Sequence, residues 1–363
     1  MEEYSDGKDN PFFSFVDELG IFFAPAAYTV RLARMLRWTG SLEKEPVPLR
    51  QIFDYMSLVT VGTVAFDAIE TPFGSSGKIV GGAASYIGLS ASQFVKEQHI
   101  ISVIGDDFPQ PFIDELESRG VKTEGLECRK GEKSFFWEGK YHMDMNSRDT
   151  LTTDLNVLAD FQPKVPAAAQ NADYVMLGNL DPNVQASVLD QMAKRPKLVV
   201  LDTMNFWMDI ALEPLKAVLH RIDVLTINDE EARQLSGEYS LVKAAQKILT
   251  MGPSALVIKK GEHGALLFNQ DEVFFAPALP LEEVLDPTGA GDSFAGGFIG
   301  YLAHTDDTSF ANMKRAVVLG SALASFTCER FGTERLLSLT QAELDERIQR
   351  FVDLVDFDIV LKG

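Results

Sequence analysis

The stretch Asp286-Pro287-Thr288-Gly289-Ala290-Gly291-Asp292-Ser293-Phe294-Ala295-Gly296-Gly297 lies between an apolar segment at 273–276 and a longer one at 298–303. Its small residues, Gly289, Ala290 and Gly291, allow backbone amides to approach an anion closely. A helix that begins here would point its unpaired N–H groups and the positive end of its dipole at that anion. Asp292 would then lie beside a phosphate, which is repulsive unless the carboxylate accepts the proton of an attacking hydroxyl group. The alternative is a helix N-cap after a flexible glycine turn.

This segment resembles the C-terminal signature of the PfkB (ribokinase-like) carbohydrate kinases, and the chain is similar to that family from about residue 55 to about residue 351. The resemblance implies that Asp292 is the general base and that the amides of Gly289, Ala290 and Gly291 form an anion hole for the transferred phosphoryl group. It implies an α/β, ribokinase-like fold, in which helices flank a central, mostly parallel sheet and a small β-sheet forms a lid. It also implies a monovalent cation such as K⁺ below the anion hole, bound partly by Asp286 and Thr288.

Composition excludes several classes of partner. The 363 residues carry 33 Lys and Arg against 53 Asp and Glu, a formal net charge of −20. This charge argues against nucleic acid or an anionic membrane as a partner of the whole molecule, and it requires an ATP site to be locally positive. Two distant cysteines and five histidines without ligand spacing predict no disulfide framework or metal cluster, as expected in the reducing cytoplasm. The acidic start is unlike a signal peptide, and no apolar run reaches the ~20 residues of a membrane span.

Residues 1–54 differ in pattern from the rest of the chain. Arg31, Arg34 and Arg37 recur at helical spacing among apolar residues, which predicts an amphipathic helix in this N-terminal extension. We expect the helix to dock on the body of the protein or on a second subunit, with a membrane surface as the alternative.

The remaining residues, 55–356, are predicted to form one kinase domain. Short β-branched runs alternate with helical ones, which indicates a parallel sheet covered on both faces. Lid strands are predicted around 67–82 and within the polar and aromatic segment 121–153. A homodimer through this lid is one expected form of the protein.

The acceptor site is predicted at the carboxyl ends of the strands, where parallel sheets bind ligands. Asp67 follows the first strand, and its two oxygens can accept hydrogen bonds from vicinal hydroxyl groups; the alternative is a turn or cap aspartate. Gly81 and Gly82 permit close approach of the backbone to a substrate. Tyr86 stands where the family often has Asn, so its ring could stack on a sugar or a nucleobase, or belong to the core. Two more acceptor contacts are predicted from sheet topology, at Asn179 and Asn205.

A nucleotide site is predicted at two further strand ends. Asn228 and Glu231 resemble the family's Asn-x-x-Glu motif, which orders Mg²⁺ and its waters near the phosphates. An Asn before a helix is also an ordinary N-cap, so this motif has two explanations. The resemblance assigns the nucleotide loop and the closure of the adenine pocket to four residues, Lys259, Gly261, Gly264 and Gly332. The alternative for Lys259 is a surface lysine in a hairpin turn.

These features together predict an ATP- and Mg²⁺-dependent kinase that phosphorylates a hydroxyl group of a small molecule. A sugar or sugar acid is the preferred acceptor, because Asp67, Gly81 and Gly82 account for hydroxyl recognition without a base. A nucleoside is the alternative, since the same fold serves both and aromatic residues are plentiful near the site. A third possibility is a catalytically inactive sugar-binding regulator, which the intact Gly289–Asp292 segment argues against.

Overall fold

The computed structural model describes residues 56–356, and a nine-stranded sheet forms the centre of this part of the chain. Its strands, in the spatial order β13-β12-β11-β10-β9-β8-β1-β4-β5, are β1 (Leu58–Val61), β4 (Gln98–Gly105), β5 (Val121–Arg129), β8 (Tyr174–Leu177), β9 (Leu198–Asp202), β10 (Val224–Asn228), β11 (Ala255–Lys259), β12 (Ala265–Phe268) and β13 (Val273–Ala276). All neighbours from β11 to β5 pair in parallel, and only the β11–β12 and β12–β13 pairs are antiparallel in the described residues. This agrees with the predicted mostly parallel sheet.

A second sheet of four strands has the order β3-β2-β6-β7 and corresponds to the predicted lid. Its strands are β2 (Ala65–Thr71), β3 (Gly74–Gly81), β6 (Phe136–Tyr141) and β7 (Arg148–Asp154). The prediction of lid strands around 121–153 is wrong for 121–129, because β5 pairs in parallel with β4 in the large sheet. As an edge strand, β5 exposes some of its side chains to water, and this gives it the polar pattern that suggested a lid.

Eleven helices lie between residues 56 and 356. They are α1 (Ala83–Ala91), α2 (Gln110–Ser118), α3 (Pro182–Asp190), α4 (Asn205–Ile210), α5 (Leu212–Leu219), α6 (Asp229–Ser236), α7 (Leu241–Leu249), α8 (Ala290–Thr305), α9 (Phe310–Thr327), α10 (Glu334–Ser338) and α11 (Gln341–Leu354). None of these combines the length and the apolar character that crossing a membrane requires. The helix predicted around Arg31, Arg34 and Arg37 lies outside the described residues.

The large sheet is buried on both faces, which explains why its strands are continuous apolar runs. Val59 and Val61 of β1 point to one face, in a cluster with residues of α3, α5 and α7. Leu58 of the same strand points to the other face, in a cluster with residues of α8 and α9. Successive side chains of a strand alternate between faces, so each strand contributes to both layers of core.

The parallel pairing brings the carboxyl ends of seven strands, from β11 to β5, to one edge of the sheet. Val61 of β1 lies beside Leu177 of β8, and Asn228 of β10 lies beside Lys259 of β11. Asp202 ends β9, between β8 and β10. Residues predicted separately for the acceptor and the nucleotide therefore follow neighbouring strands at the edge where such sheets bind ligands.

Candidate active site

Helix α8 begins at the predicted anion hole. Its N-cap, Gly289, has a φ of +76°, and a Cβ there would overlap the ring of Tyr86, so only glycine fits both the conformation and the space. The Ala290 amide donates to the Pro287 carbonyl at 3.1 Å. In the described chain the amides of Gly291 and Asp292 have no hydrogen-bond acceptor, as the first turn of a helix leaves its N–H groups free. Of the predicted set, Gly289 and Gly291 thus have amides without an acceptor in the described residues, the Ala290 amide is engaged, and Asp292 adds a further free amide.

Asp292 lies in the first turn of α8 and is partly exposed. Burial and the charge of Asp202 raise the pKa of its carboxyl group to about 7, against the opposing charges of Lys259 and Arg148. A group with a pKa near neutrality can accept a proton at neutral pH and still release it. The position and the pKa of Asp292 both suit a general base.

Asp67 is held in a pocket that two glycines make possible. It lies within β2 and is 5% exposed, so the alternative of a turn or cap aspartate is wrong. A Cβ at Gly81 would overlap the Asp67 carboxylate, and the Gly82 amide donates a hydrogen bond to it. Burial raises the pKa of Asp67 to about 7, and the nearby charges of Asp286 and Asp292 add to the shift. The predicted acceptor residue Asp67 thus lies within electrostatic range of the predicted base, Asp292.

Tyr86 belongs to the core, which was one of its two predicted placements. Its side chain is 1% exposed and its ring lies against Gly289, so the ring has no free face for stacking on a sugar or a nucleobase. The Tyr86 hydroxyl group is buried and finds no hydrogen-bond partner among residues 56–356. Burial and the charges of Asp67, Asp286 and Asp292 raise its pKa. A buried hydroxyl without a partner is costly, and this one lies among the site's carboxyl groups.

The two predicted asparagine contacts have different surroundings. Asn179 follows β8, and its Oδ1 accepts a hydrogen bond from the indole N–H of Trp207 at 2.8 Å. Asn205 is exposed in the first turn of α4, and its Oδ1 accepts from the Phe206 amide at 3.1 Å. The structure connects neither residue to Asp67 by a hydrogen bond, so their contact with an acceptor stays a prediction.

The Asn228 and Glu231 side chains form a capping box at the start of α6. Asn228 Oδ1 accepts from the Glu231 amide, and Glu231 Oε2 accepts from the Asn228 amide, each at 2.8 Å. The N-cap explanation is therefore confirmed. Glu231 is 7% exposed, and burial raises its pKa to about 7 despite the opposing charge of Lys259. Its second oxygen takes no part in the cap, so a magnesium-bound water remains a possible partner for it.

Lys259 turns into the site, so the alternative of a surface lysine is wrong. Its Nζ lies 2.8 Å from Asp202 Oδ2, and the two side chains are only 18% and 7% exposed. Asp202 ends β9, and it was not predicted as a site residue. Its burial raises its own pKa, which the charge of Lys259 opposes. The pairing could not be foreseen without the order of the strands, because the two residues lie 57 positions apart.

The predicted nucleotide loop borders an open cleft of about 390 Å³, lined by Lys260, Glu262, His263, Phe275, Pro277 and Ala278. Gly261 and Gly264 have φ values of +53° and +81°, which favour glycine. Gly332 does not line this cleft. Its amide donates to Asp286 Oδ2 at 3.0 Å, and a Cβ there would lie 2.8 Å from Ile79 Cδ1. Its predicted contact with adenine stays a prediction.

Asp286 is completely buried below the glycine turn. Its Oδ1 accepts from the Thr288 amide at 2.8 Å and its Oδ2 from the Gly332 amide, and burial raises its pKa. No Lys or Arg within residues 56–356 forms an ion pair with it. A buried carboxylate without a cation is unfavourable, which fits the predicted monovalent ion.

The lid contributes two residues that sequence reasoning missed. Tyr141, in β6, accepts a hydrogen bond from Thr288 Oγ1 at 3.2 Å, which joins the lid to the glycine turn. Arg148 is paired with Tyr141 across the β6–β7 ladder, and its charge lowers the pKa of Asp292 and of Glu231. A basic residue within the lid strands was the only available signal for Arg148.

Comparison with known proteins agrees with this geometry. A pfkB family carbohydrate kinase domain matches residues 57–339, so the chain belongs to that family. It is therefore a phosphotransferase with an alcohol group as acceptor. The chain is 28% identical over 250 residues to the cytidine kinase of Thermococcus kodakarensis, covering 67% of this chain and 87% of the relative. It is 26% identical over 314 residues to the nucleoside kinase of Methanothermobacter thermautotrophicus, covering 81% and 95%.

Solved structures share the fold. The nucleoside kinase of Methanocaldococcus jannaschii, a member of the ribokinase family, aligns with a TM-score of 0.65 at 21% identity, covering 81% of this chain and 98% of that one. A putative ribokinase II from E. coli in complex with ATP and Mg²⁺ aligns with a TM-score of 0.67 at 20% identity, covering 81% and 99%. The predicted ribokinase-like fold is thereby confirmed.

Proposed function

We propose that this kinase transfers the γ-phosphate of ATP to a hydroxyl group of a nucleoside. The observation that carries the proposal is the start of α8, where the amides of Gly291 and Asp292 are free in the described chain and the Asp292 carboxyl group lies in the first turn. The buried Asp67 lies within electrostatic range of it. Asp67 binds hydroxyl groups of the acceptor and Asp292 removes the proton of the one that reacts. The amides of Gly291 and Asp292 bind the transferred phosphoryl group.

The sequence of events follows from these placements. The acceptor oxygen loses its proton to Asp292 and attacks the γ-phosphorus, while the bond to the leaving ADP oxygen breaks on the opposite side. Gly261 and Gly264 border the nucleotide, whose base lies in the cleft beside Phe275. Glu231 and Asn228 would hold Mg²⁺, which would supply positive charge to the phosphates. The lid, through Tyr141, keeps water from competing with the acceptor.

The nucleoside is preferred as acceptor on the evidence of relatives. Cytidine kinase and two nucleoside kinases are among the curated proteins that the chain resembles, and each match covers most of the relative's length. The second candidate is a plain sugar or a related polyol, which Asp67 would bind equally well without any contact to a base. An inositol 3-kinase and a deoxyribokinase are also among the relatives.

We also propose K⁺ as a cofactor, bound beside Asp286 and Thr288, because the Asp286 carboxylate is buried and pairs with no cationic side chain of the described residues. Equal turnover in K⁺ and in tetramethylammonium, which is too large for such a site, would contradict this.

A homodimer through the lid is proposed because Phe73, Met143 and Leu151 on it are more than half exposed. Sedimentation as a monomer at all concentrations would contradict it.

The acceptor is tested by measuring ADP release with ATP, Mg²⁺ and a panel of nucleosides, pentoses, hexoses, inositol and sugar acids. We expect release with at least one nucleoside, with a phosphorylated nucleoside as product by mass spectrometry. Release with sugars alone would favour the second candidate. No acceptor-dependent release with any compound, from protein that is folded by circular dichroism, would contradict the proposed function.

A further inference from the structure

The Lys259 ammonium group lies against the anion hole. Its Nζ is 2.8 Å from Asp202 Oδ2, and it is also 3.1 Å from the position that a Cβ on Gly291 would occupy. Gly291 is one of the residues at the start of α8 whose amides have no acceptor within the described residues. A full positive charge therefore stands within a few ångströms of the place where backbone amides offer only partial charges.

Carboxyl groups on three elements surround this lysine and keep it charged. Burial alone would lower the pKa of Lys259, but the charges of Asp202, Glu231 and Asp292 together raise it. The ammonium group thus keeps its proton at neutral pH. Since Asp202 holds it by a hydrogen bond and an ion pair, the lysine side chain is fixed before any phosphate arrives, which is the arrangement that stabilises developing charge most effectively.

We propose that Lys259 is a catalytic residue that binds an oxygen of the transferred phosphoryl group at Gly291, and that Asp202 is the positioning residue that holds it there. This rests on the proposed function and adds an assignment to it: Lys259 acts on the group in transfer rather than on the nucleotide that stays behind. The acceptor proton goes to Asp292 and the electron pair of the broken P–O bond goes to ADP. Lys259 contributes charge only and keeps its own proton throughout.

The two members of the Lys259–Asp202 ion pair have opposite effects on the pKa of the proposed base, Asp292. The charged or titratable groups coupled to Asp292 are Asp202 on β9, Lys259 on β11, Arg148 on β7, Asp67 on β2 and Tyr86 on α1. Among these, Asp202 raises the pKa of Asp292 and Lys259 lowers it. Removing Asp202 and removing Lys259 should therefore shift the pKa of Asp292 in opposite directions. Loss of an ion pair with only a structural role would not do this.

The test compares Lys259→Met and the isosteric Asp202→Asn with wild type, measuring kcat and the pH dependence of kcat/KM for the acceptor. Lys259→Met should lower kcat by about 10²–10³-fold, the usual effect of removing one donor to a developing oxyanion. Its acid limb should move to higher pH and that of Asp202→Asn to lower pH, each by on the order of one unit. Lys259→Arg keeps the charge, so its acid limb should stay near that of wild type.

The matched control is Lys197→Met, which breaks a 2.8 Å ion pair with Asp306 just before the other end of strand β9. It should leave kcat and the acid limb unchanged. Acid limbs of Lys259→Met and Asp202→Asn that shift together, or do not shift, in folded proteins would overturn the inference. So would a Lys259→Met kcat near that of wild type. A wild type without acceptor-dependent turnover would instead contradict the proposed function, so the two failures are distinguishable.

Discussion

Asp292 is the residue on which the proposed chemistry depends most directly. Replacement by Asn keeps the shape of the side chain and removes its basicity. We expect Asp292→Asn to lower turnover by roughly 10²–10⁴-fold, the range for loss of a general base, while ATP still binds. Steady-state kinetics and calorimetric titration with ATP measure the two effects. Near-normal turnover in the folded variant would contradict the assignment.

The raised pKa of Asp292 predicts the pH dependence of the reaction. The carboxyl group must be ionised to accept a proton, and burial raises its pKa to about 7. We therefore expect kcat/KM for the acceptor, which reports the free enzyme, to fall as the pH drops below about 7 rather than below about 4. Asp67, with its pKa also near 7, should make the fall steeper than one proton would. An acid limb near pH 4 would contradict this.

The buried hydroxyl group of Tyr86 predicts a small and specific effect. In Tyr86→Phe the ring that supports Gly289 remains, and only the hydroxyl group without a partner is lost. We expect unchanged or higher thermal stability, because a buried unsatisfied polar group is removed. If a ligand satisfies this hydroxyl group, the same variant should raise KM for the acceptor or lower kcat. Lower stability together with wild-type kinetics would contradict both expectations.

At the scale of elements, the capping box of α6 serves two purposes, because Glu231 is both a cap and a proposed partner of Mg²⁺. Asn228→Ala should cost about 1 kcal/mol of stability, the usual cost of losing an N-cap. It should also increase the Mg²⁺ concentration needed for half-maximal activity, since Glu231 loses its orientation.

The chain provides a matched control for that variant. Thr340 and Glu343 form a second capping box at the start of α11, which contributes no residue to the site. Thr340→Ala should lower the melting temperature by a similar amount and leave the Mg²⁺ dependence unchanged. The same Mg²⁺ dependence in Asn228→Ala and Thr340→Ala would contradict the proposed role of Asn228 and Glu231 in binding Mg²⁺.

Element pairing also explains what the sequence could and could not predict. The strand ends at Asp202, Asn228 and Lys259 were predictable, because each follows a short apolar run. That Lys259 contacts Asp202 depends on β9, β10 and β11 being neighbours, which no local pattern encodes. The burial of Tyr86 likewise depends on α8 packing against α1. The role of β5 was misjudged because an edge strand of a covered sheet has the same alternation as a strand of a lid.

For the whole molecule, the net charge of −20 opposes the approach of ATP until salt screens it. The screening length is about 30 Å at 0.01 M salt and about 8 Å at 0.15 M. Added salt therefore screens the repulsion between ATP and distant carboxylates before it screens the attraction between ATP and the nearby Lys259. We expect kcat/KM for ATP to rise over this range of tetramethylammonium chloride, at fixed KCl and Mg²⁺. The same quantity for a neutral acceptor should stay constant. A fall for ATP would show that local positive charge dominates its capture.

The hydrogen bond from the Gly332 amide to Asp286 affects how intact genes for such kinases can be recognised from sequence. The glycine turn is completed by Gly332, which lies 35 positions beyond the end of the Asp286–Gly297 signature, at a φ of +60° that suits glycine and beside Ile79 of the lid. A frameshift before 332 would remove this donor. A missense change at 332 would displace it, because a Cβ there would lie 2.8 Å from Ile79 Cδ1 and a φ of +60° disfavours other residues. Both changes would leave Asp286–Gly297 intact. Surveys that count working copies by the signature alone would therefore include inactive alleles.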